Sequence, residues 1–185
     1  LGELSEQQTK SVQRIRSSIA TALHLIEDLL ELARAESGQI EIECVRTDVV
    51  QAAREVVEEF RAQAAAAGVA IDVDAAAHLL AETDPMRVRK ILANLLSNAV
   101  KYAPGTHTTV CAQIARNGHG PRPGDWITLS VSDAGPGIPK DKQEAIFQEF
   151  TRLQPQAKSG AGVGLAISRR IARAMGGDLT VESDV

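Results

Sequence analysis

Five residues with chemically useful side chains recur at helical spacing between Lys90 and Tyr102. Lys90, Asn94, Asn98, Lys101 and Tyr102 stand four, four, three and four apart, the last two both counted from Asn98. That spacing puts them on one face of a helix and leaves Ile91, Leu92, Leu95, Leu96 and Ala99 for a core. Asparagine is mildly unfavourable inside a helix, because its amide competes for backbone hydrogen bonds. By itself the stripe is compatible with a solvated helix face. The chemistry it offers is an amide oxygen for a divalent cation, an ammonium for phosphate and a flat ring to pack on another. Mg2+ takes only one or two protein ligands beside phosphates and waters, so Asn98 alone suffices.

Two glycine-rich stretches follow. Asp133-Ala134-Gly135-Pro136-Gly137-Ile138-Pro139 comes directly after a segment with strand character. A carboxylate at a strand end before two glycines marks a place where a ligand approaches backbone. Asp133 only accepts hydrogen bonds, which suits the exocyclic amino group of adenine and disfavours guanine. Alone, this Asp-x-Gly-x-Gly is no more than many β-turns carry. Ser159-Gly160-Ala161-Gly162-Val163-Gly164-Leu165 leads into a helix, and alternate glycines there let N–H groups converge on phosphate oxygens. No Gly-Lys-Ser/Thr follows, so it is not a Walker A loop. The irregular segment before it also lacks the strand of a dinucleotide-binding fingerprint.

The elements that must position these residues are legible from periodicity. Residues 5 to 36 contain no Gly or Pro, and Val12, Ile15, Ile19, Ala22, Ile26, Leu29 and Ala33 form an a/d seam. Leu23, Leu25, Leu30 and Leu32 widen it to the face of a four-helix bundle, and Gly38 is placed as the cap. Ile40, Ile42 and Cys44 predict a strand, Thr47 an N-cap, and Val49 to Phe60 a helix that Gly68 ends. Val69, Ile71 and Val73 predict a second strand. Asp84-Pro85 opens a helix running to about Tyr102. Strands follow around Val110 to Ile114 and Ile127 to Val131, separated by a Gly/Pro-rich loop from Asn117 to Gly124. Pro139 to Ser159 is weakly patterned, with one short helical patch. A helix from Leu165 to Met175, capped by Gly176-Gly177, precedes a strand starting at Leu179. The interleaving predicts an α+β fold, a mixed or antiparallel sheet with helices on one face.

The chain has 185 residues, 44% hydrophobic and 24% charged, with a net charge of −4. That is globular composition, without the basic excess of nucleic-acid binding. No stretch is a membrane span or a signal peptide. Cys44 and Cys111 form no CxxC pair and read as buried thiols in a reducing compartment. The first residue is Leu1, so the chain is expected to be a piece of something longer.

The order of the motifs makes the chain recognisable. Asp84 to Tyr102 resembles the N box of sensor histidine kinases, Asp133 to Pro139 their G1 box, Ile146-Phe147-Gln148-Glu149-Phe150 the F box and Gly160 to Leu165 the G2 box. Leu29 to Gly38 is similar to the end of the second helix of their dimerisation hairpin. The resemblance implies a two-layer α/β sandwich of the Bergerat type over residues 39–185, preceded by one long amphipathic helix over residues 1–38. It implies ATP and Mg2+ as cofactors, with Asn98 on the metal, Asn94 near the metal waters and γ-phosphate, and Lys101 on phosphate. It puts Tyr102 on the adenine ring and Asp133 on the adenine amino group, with Gly135, Gly137 and Ile138 shaping that pocket. Gly160, Gly162 and Gly164, with Val163 and Leu165, close over the phosphates. Residues 139–159 become a mobile lid anchored by Phe147 and Phe150, from which Arg152 or Lys158 reaches the γ-phosphate. The catalytic set implied is Asn94, Lys101 and Arg152.

Related ATPases of the gyrase, mismatch-repair and chaperone type carry a glutamate at the Asn94 position, and an amide cannot take a proton from water at neutral pH. Phosphoryl transfer to a nucleophile supplied elsewhere is what remains. His24 falls at an outward heptad position and lacks the family's His-Glu or His-Asp setting, so it reads as a surface histidine. His78, His107 and His119 lie in or beside loops without a second ligand at metal spacing. The acceptor helix is missing, and this chain alone is not expected to autophosphorylate. The family's last strand is expected to be missing too, which leaves a sheet edge uncovered. The parent is expected to be a homodimer in the cytoplasm that passes phosphate to a response-regulator receiver domain, with any membrane anchor in segments beyond this chain. Two alternatives stand beside this: a degenerate nucleotide-binding scaffold or phosphatase-dominant module, and a stand-alone serine kinase of an anti-anti-sigma factor. The heptad helix argues against the second.

Overall fold

Two of the helix starts have a local cause in a capping aspartate, and those starts set the frame. The computed structural model describes residues 5–37, 40–116, 124–153 and 162–185, without the side chains at positions 17, 21, 24, 28, 35 and 36. Gly38, His24's side chain, the loop from Asn117 to Pro123, and Lys158 and Gly160 therefore lie outside the described residues. Helix α1 spans Glu6–Glu36. Strand β1 (Val45–Asp48) runs into α2 (Val49–Ala66), followed by β2 (Ala70–Ala75) and β3 (Leu80–Thr83). Helix α3 (Pro85–Tyr102) leads to β4 (His107–Ala115) and β5 (Trp126–Asp133). Two 3-10 turns, Lys140–Lys142 and Ala145–Phe147, precede α4 (Gly164–Ala174).

Helix α3 begins where Asp84 accepts from the N–H groups of Met86 (2.9 Å) and Arg87 (3.1 Å), two of the orphan donors of a first turn. Pro85 supplies the fixed φ of that turn. The other Asp84 oxygen accepts from Glu43 N at 3.1 Å, tying the cap to the segment before β1. Helix α2 is capped by Asp48, one residue later than the expected Thr47. Thr47 is committed elsewhere: its hydroxyl donates to the carbonyls of Val45 and Thr83 within the β1–β3 pair.

Strands β1 and β3 form an antiparallel pair, while β2, β4 and β5 form a mixed sheet with β4 central. β2 runs parallel to β4, from Ala70 opposite His107 to Ala75 opposite Ala112. β5 runs antiparallel, from Asp133 opposite Thr108 to Trp126 opposite Ala115. Alternation along β4 turns Val110 towards α2 and α3, where it joins Ala53, Val56, Val57, Val88, Leu92 and Leu96 in the core. The expected mixed sheet with helices packed on it is what the chain adopts.

Four expectations differ. Residues 40–44 are not strand, because the partner strand ends at Thr83 and the next residues, Asp84 and Pro85, are a cap and a residue without N–H. Ile40 instead packs beside the α1–α4 cluster. β3 was not foreseen, since four residues carry too little alternation to read. The strand expected at Leu179 is absent. Those residues pass the Gly135–Pro139 turn, where two prolines and a Gly137 φ of +74° offer no regular ladder. Ile138 N donates to Ser183 Oγ (2.9 Å), and Gln143 Nε2 to Ser183 O (2.8 Å), in its place. Finally, Cys44 is exposed and Cys111 half-buried, since Cys111 alternates onto the face of β4 away from the helices.

The long helix divides its faces. Val12, Ile15, Ile19, Ile26 and Leu29 on the seam are 42–58% exposed. Leu32, expected in a bundle face, is buried against Val163, Ile167 and Ile171 of the α4 region. Beside it Glu31, 8% exposed, meets Arg87 at 2.5 Å and pairs with Lys90, both on α3. Lys90 approaches Glu31 Oε2 as an ion pair without hydrogen-bond geometry. A carboxylate removed from water is tolerated only beside such compensation. Among the described residues no helix is long and apolar enough to cross a membrane.

Two outcomes are expected. Glu31→Gln leaves two cations facing a neutral amide, costs about 1–3 kcal/mol, and detaches the end of α1, seen as faster limited proteolysis around residues 34–43. The His78 imidazole holds the Asp48 carboxyl at about 2, below its ordinary 3.8, helped by N–H groups of Leu79, Gln51 and Val50 and opposed by desolvation. A depressed carboxylate contributes stability that is complete above 3.8 and disappears as pH falls towards 2. Asp48→Asn, which still caps a helix, therefore flattens the acid limb of a thermal-midpoint profile while changing the neutral limb little.

Candidate functional site

Helix α3 is the spine of the site, because one of its faces is core and the other is polar. Val88, Leu92, Leu96, Ala99 and Val100 are buried. Asn94, Asn98 and Lys101 are half-buried on the opposite side, and Tyr102 is exposed. The Lys101 ammonium lies 4.7 Å from the centre of the Tyr102 ring, a cation–π arrangement. Among the described residues Lys101 has no carboxylate partner, and the Asn98 amide makes no hydrogen bond.

Two other segments close on this helix, one at its C-terminal end and one beside its middle. At the C-terminal end, the turn after β5 backs onto it. A Cβ on Gly135 would stand 2.6 Å from Asp133 Oδ1, 3.1 Å from Ala103 Cβ and 3.6 Å from Tyr102 O, so glycine gives the turn room to lie this near. Asp133 is exposed at the end of β5, and one carboxylate oxygen accepts from Gly135 N at 2.9 Å, shaping the turn while the other oxygen has no partner among the described residues. Gly137 has a φ of +74°, and a Cβ there would lie 2.0 Å from Asp184 O.

Further back along α3, the start of α4 closes on Asn94. A Cβ on Gly164 would lie 2.4 Å from Asn94 Oδ1, and Asn94 Nδ2 donates to Ser168 Oγ at 2.9 Å. Gly162, with a φ of +73°, sits against the backbone of Phe150 and Thr151 and the stem of Arg152. From Asn94 to Ala103 is nine residues, about 13 Å of helix at 1.5 Å per residue. The site is therefore elongated, with a carboxylate at one end and a helix N-terminus at the other. An N-terminus carries unsatisfied N–H groups and the positive end of the helix dipole.

The segment between the two glycine turns is held from α4. Arg169 pairs with Glu144 (2.8 Å) and Asp178 (3.2 Å) and stacks 4.4 Å from the Phe147 ring centre. Glu144 and Asp178 push its guanidinium above the usual value, against the opposing effect of partial burial. Arg170 pairs with Glu149. Phe147 is thus anchored as expected. Phe150 is not: it is 62% exposed and has a φ of 60°, because the backbone must turn there to meet Gly162.

The structure brings Asn94, Gly162, Gly164 and Arg152 to one region, and Tyr102, Asp133 and Gly135 to another, with Asn98 and Lys101 on the helix face between them. Val163 is a core residue, packed with Leu32, Ile167 and Ile171, and Ile138 is bound to Ser183. Sequence reading missed Ser168, Ser183 and Glu31. Only Ser168 had a signal, a hydroxyl inserted in the apolar face of Ala166, Ile167 and Ile171.

Among the described residues no group of three or more His, Cys, Asp and Glu side chains is arranged to hold a metal. An oxygen donor on offer is Asn98, a hard amide oxygen on a half-buried side chain without a partner among the described residues, and its chemistry fits Mg2+ completed by other oxygens.

Comparisons with known proteins show the family to which this fold belongs. The profile of the family described as "Histidine kinase-, DNA gyrase B-, and HSP90-like ATPase" matches residues 83–185. The chain is 34% identical over 161 residues to the adaptive-response sensory kinase SasA of Synechococcus sp. (strain JA-3-3Ab), covering 86% of this chain and 41% of that protein. It is 30% identical over 188 residues to the aerobic respiration control sensor protein ArcB of Escherichia coli (strain K12), covering 98% of this chain and 23% of that one. Among solved structures it resembles full-length ShkA in complex with AMPPNP, with a TM-score of 0.77 and 29% identity over 98% of this chain and 38% of that one. The chain thus spans well under half the length of these relatives. With the fold, the order of its boxes and these likenesses in agreement, the chain belongs to the histidine kinase-, DNA gyrase B- and HSP90-like ATPase family, as a catalytic domain of the sensor histidine kinase kind.

Proposed function

We propose that residues 39–185 bind Mg·ATP along the polar face of α3, and that the parent protein transfers its γ-phosphoryl group to a histidine on a helix preceding this chain. The observation that carries this is the elongated site itself: an adenine-compatible carboxylate at the C-terminal end of α3 and the glycine-led start of α4 beside Asn94. Asp133 accepts from the adenine amino group and Tyr102 packs on the ring. Lys101 meets phosphate, and backbone N–H groups at Gly160, Gly162 and Gly164 hold the terminal oxygens. Asn98 holds Mg2+, whose contribution is to neutralise charge on the phosphates. Arg152 or Lys158 reaches the γ-phosphate from the segment between the glycine turns.

Asn94 decides the reaction class. Its amide is neither acid nor base near neutrality, so it does not activate water, and the site works by orientation and charge neutralisation. The nucleophile is a histidine presented by the other helix of the hairpin. Helix α1 is the second helix of that hairpin, and its exposed seam of Val12, Ile15, Ile19, Ile26 and Leu29 meets the hairpin's other helix and a second copy. The phosphoryl group then passes to an aspartate on a response-regulator receiver domain, completing two-component signalling in the cytoplasm, where ATP is available.

Calorimetry with AMPPNP and Mg2+ tests the site. Binding in the micromolar range is expected, with a guanine analogue at least tenfold weaker. Asp133→Asn loses a charged acceptor and weakens AMPPNP binding about 10- to 100-fold, the range for a hydrogen bond to an ionised group. A folded protein that binds neither nucleotide contradicts the assignment and removes the nucleotide-binding scaffold alternative with it.

A further inference from the structure

The residue that fixes Asn94 is not one of the motif residues. Ser168 lies one turn beyond Gly164 on α4 and is 2% exposed, so its hydroxyl has no water to satisfy it. Its partner is Asn94 Nδ2 at 2.9 Å, across the gap between α3 and α4. A carboxamide has a donor end and an acceptor end, and the two do different chemistry. The nitrogen end suits a phosphate oxygen. The oxygen end suits a hydrated cation. A free asparagine side chain rotates to present either.

Here two residues of α4 hold it. Ser168 takes the nitrogen, and the carboxamide is pressed flat on Gly164, whose missing Cβ would stand 2.4 Å from Oδ1, 3.0 Å from the carboxamide carbon and 3.1 Å from Nδ2. Gly164 has no positive φ to explain its identity, so the space it leaves for Asn94 is the requirement this structure shows. Oδ1 accepts no hydrogen bond from the described residues.

We propose that Ser168 is a positioning residue: it holds the Asn94 nitrogen against α4, so that Asn94 meets its ligand through the oxygen, as an acceptor facing the metal's hydration shell and not as a donor to phosphate. This rests on the Mg·ATP assignment above and specifies it further. Asn94 then contributes to the metal-dependent part of nucleotide affinity and little to the metal-free part.

The test measures AMPPNP affinity with Mg2+ and in EDTA, for the wild-type chain and for Ser168→Ala, Ser168→Thr, Asn94→Ala and the Ser168→Ala/Asn94→Ala double variant. Alanine is at least as good a helix former as serine, and thermal unfolding verifies the fold. Ser168→Ala is expected to shrink the affinity gain from Mg2+ by about 3- to 10-fold, the usual worth of a neutral hydrogen bond, while metal-free affinity stays within about twofold. Ser168→Thr, which keeps the hydroxyl, retains the gain, and in the Asn94→Ala background Ser168→Ala has no further effect, as coupled sites require. An undiminished Mg2+ gain in Ser168→Ala overturns the proposal, as does an equal loss with and without Mg2+, which is a purely structural effect. Wild-type protein that binds nucleotide in neither condition overturns the ATP assignment itself, and binding without any Mg2+ gain overturns only this inference.

Discussion

Helices α3 and α4 meet where Gly164 leaves room for the Asn94 carboxamide. With a Cβ there, Asn94 Oδ1 stands 2.4 Å away, far inside van der Waals contact, so α4 must start elsewhere or Asn94 must turn. Because it is glycine, the first turn of α4 lies against α3 with Asn94 kept in place between them, and the rest of α4 packs from there. Ile167 and Ile171 reach the cluster that buries Leu32 of α1. Ser168 reaches Asn94. Arg169 and Arg170, on the outer side, take hold of Glu144 and Glu149. The glycine-rich turn, the segment before it and the long helix are thereby all referred to the same spine.

The electrostatics follow the same hierarchy of burial. The chain has many ion pairs, but pairs such as Arg61–Glu58, with both side chains about two-thirds exposed, contribute only about 0–1 kcal/mol. Glu31 differs, since its carboxylate is nearly excluded from solvent while Arg87 and Lys90 keep partial exposure. Its value lies less in net stability than in the cost of separating it from its partners. It joins the long helix to the same turn-by-turn face of α3 that continues into Asn94 and Asn98. The site and the attachment of α1 are consecutive stretches of one stripe: Arg87 and Lys90 serve the helix, while Asn94, Asn98 and Lys101 are left for ligand.

Much of this was legible in the sequence wherever one residue type has one physical use. Asp84-Pro85 could only open a helix, and the apolar positions of α3 named its core face. β4 and β5 alternated clearly, and the ordered boxes identified the family. What escaped depended on distant partners. The end of β1 is decided by where β3 stops, and β3 is only four residues long. Thr47 and Asp48 are both good caps, and the choice was made by β3, which engages Thr47. Leu32 looked like one more bundle residue until α4 took it. Among the residues expected at the site, Gly135, Gly162 and Gly164 lie in close contacts, while Phe150, expected as an anchor, is exposed. Ser168 shows in the sequence only as a hydroxyl in an apolar helix face, and it acquires meaning from the asparagine 74 residues earlier.

The central claim is that one elongated site runs along α3 from the turn after β5 to the start of α4. Amide hydrogen exchange with and without AMPPNP and Mg2+ tests it most directly, because it reads each segment separately. Slowed exchange is expected together in residues 133–138, in the last two turns of α3 and in residues 162–168, with α2 and β2 unchanged. Protection confined to one of these segments, or centred on another face of the sheet, contradicts it.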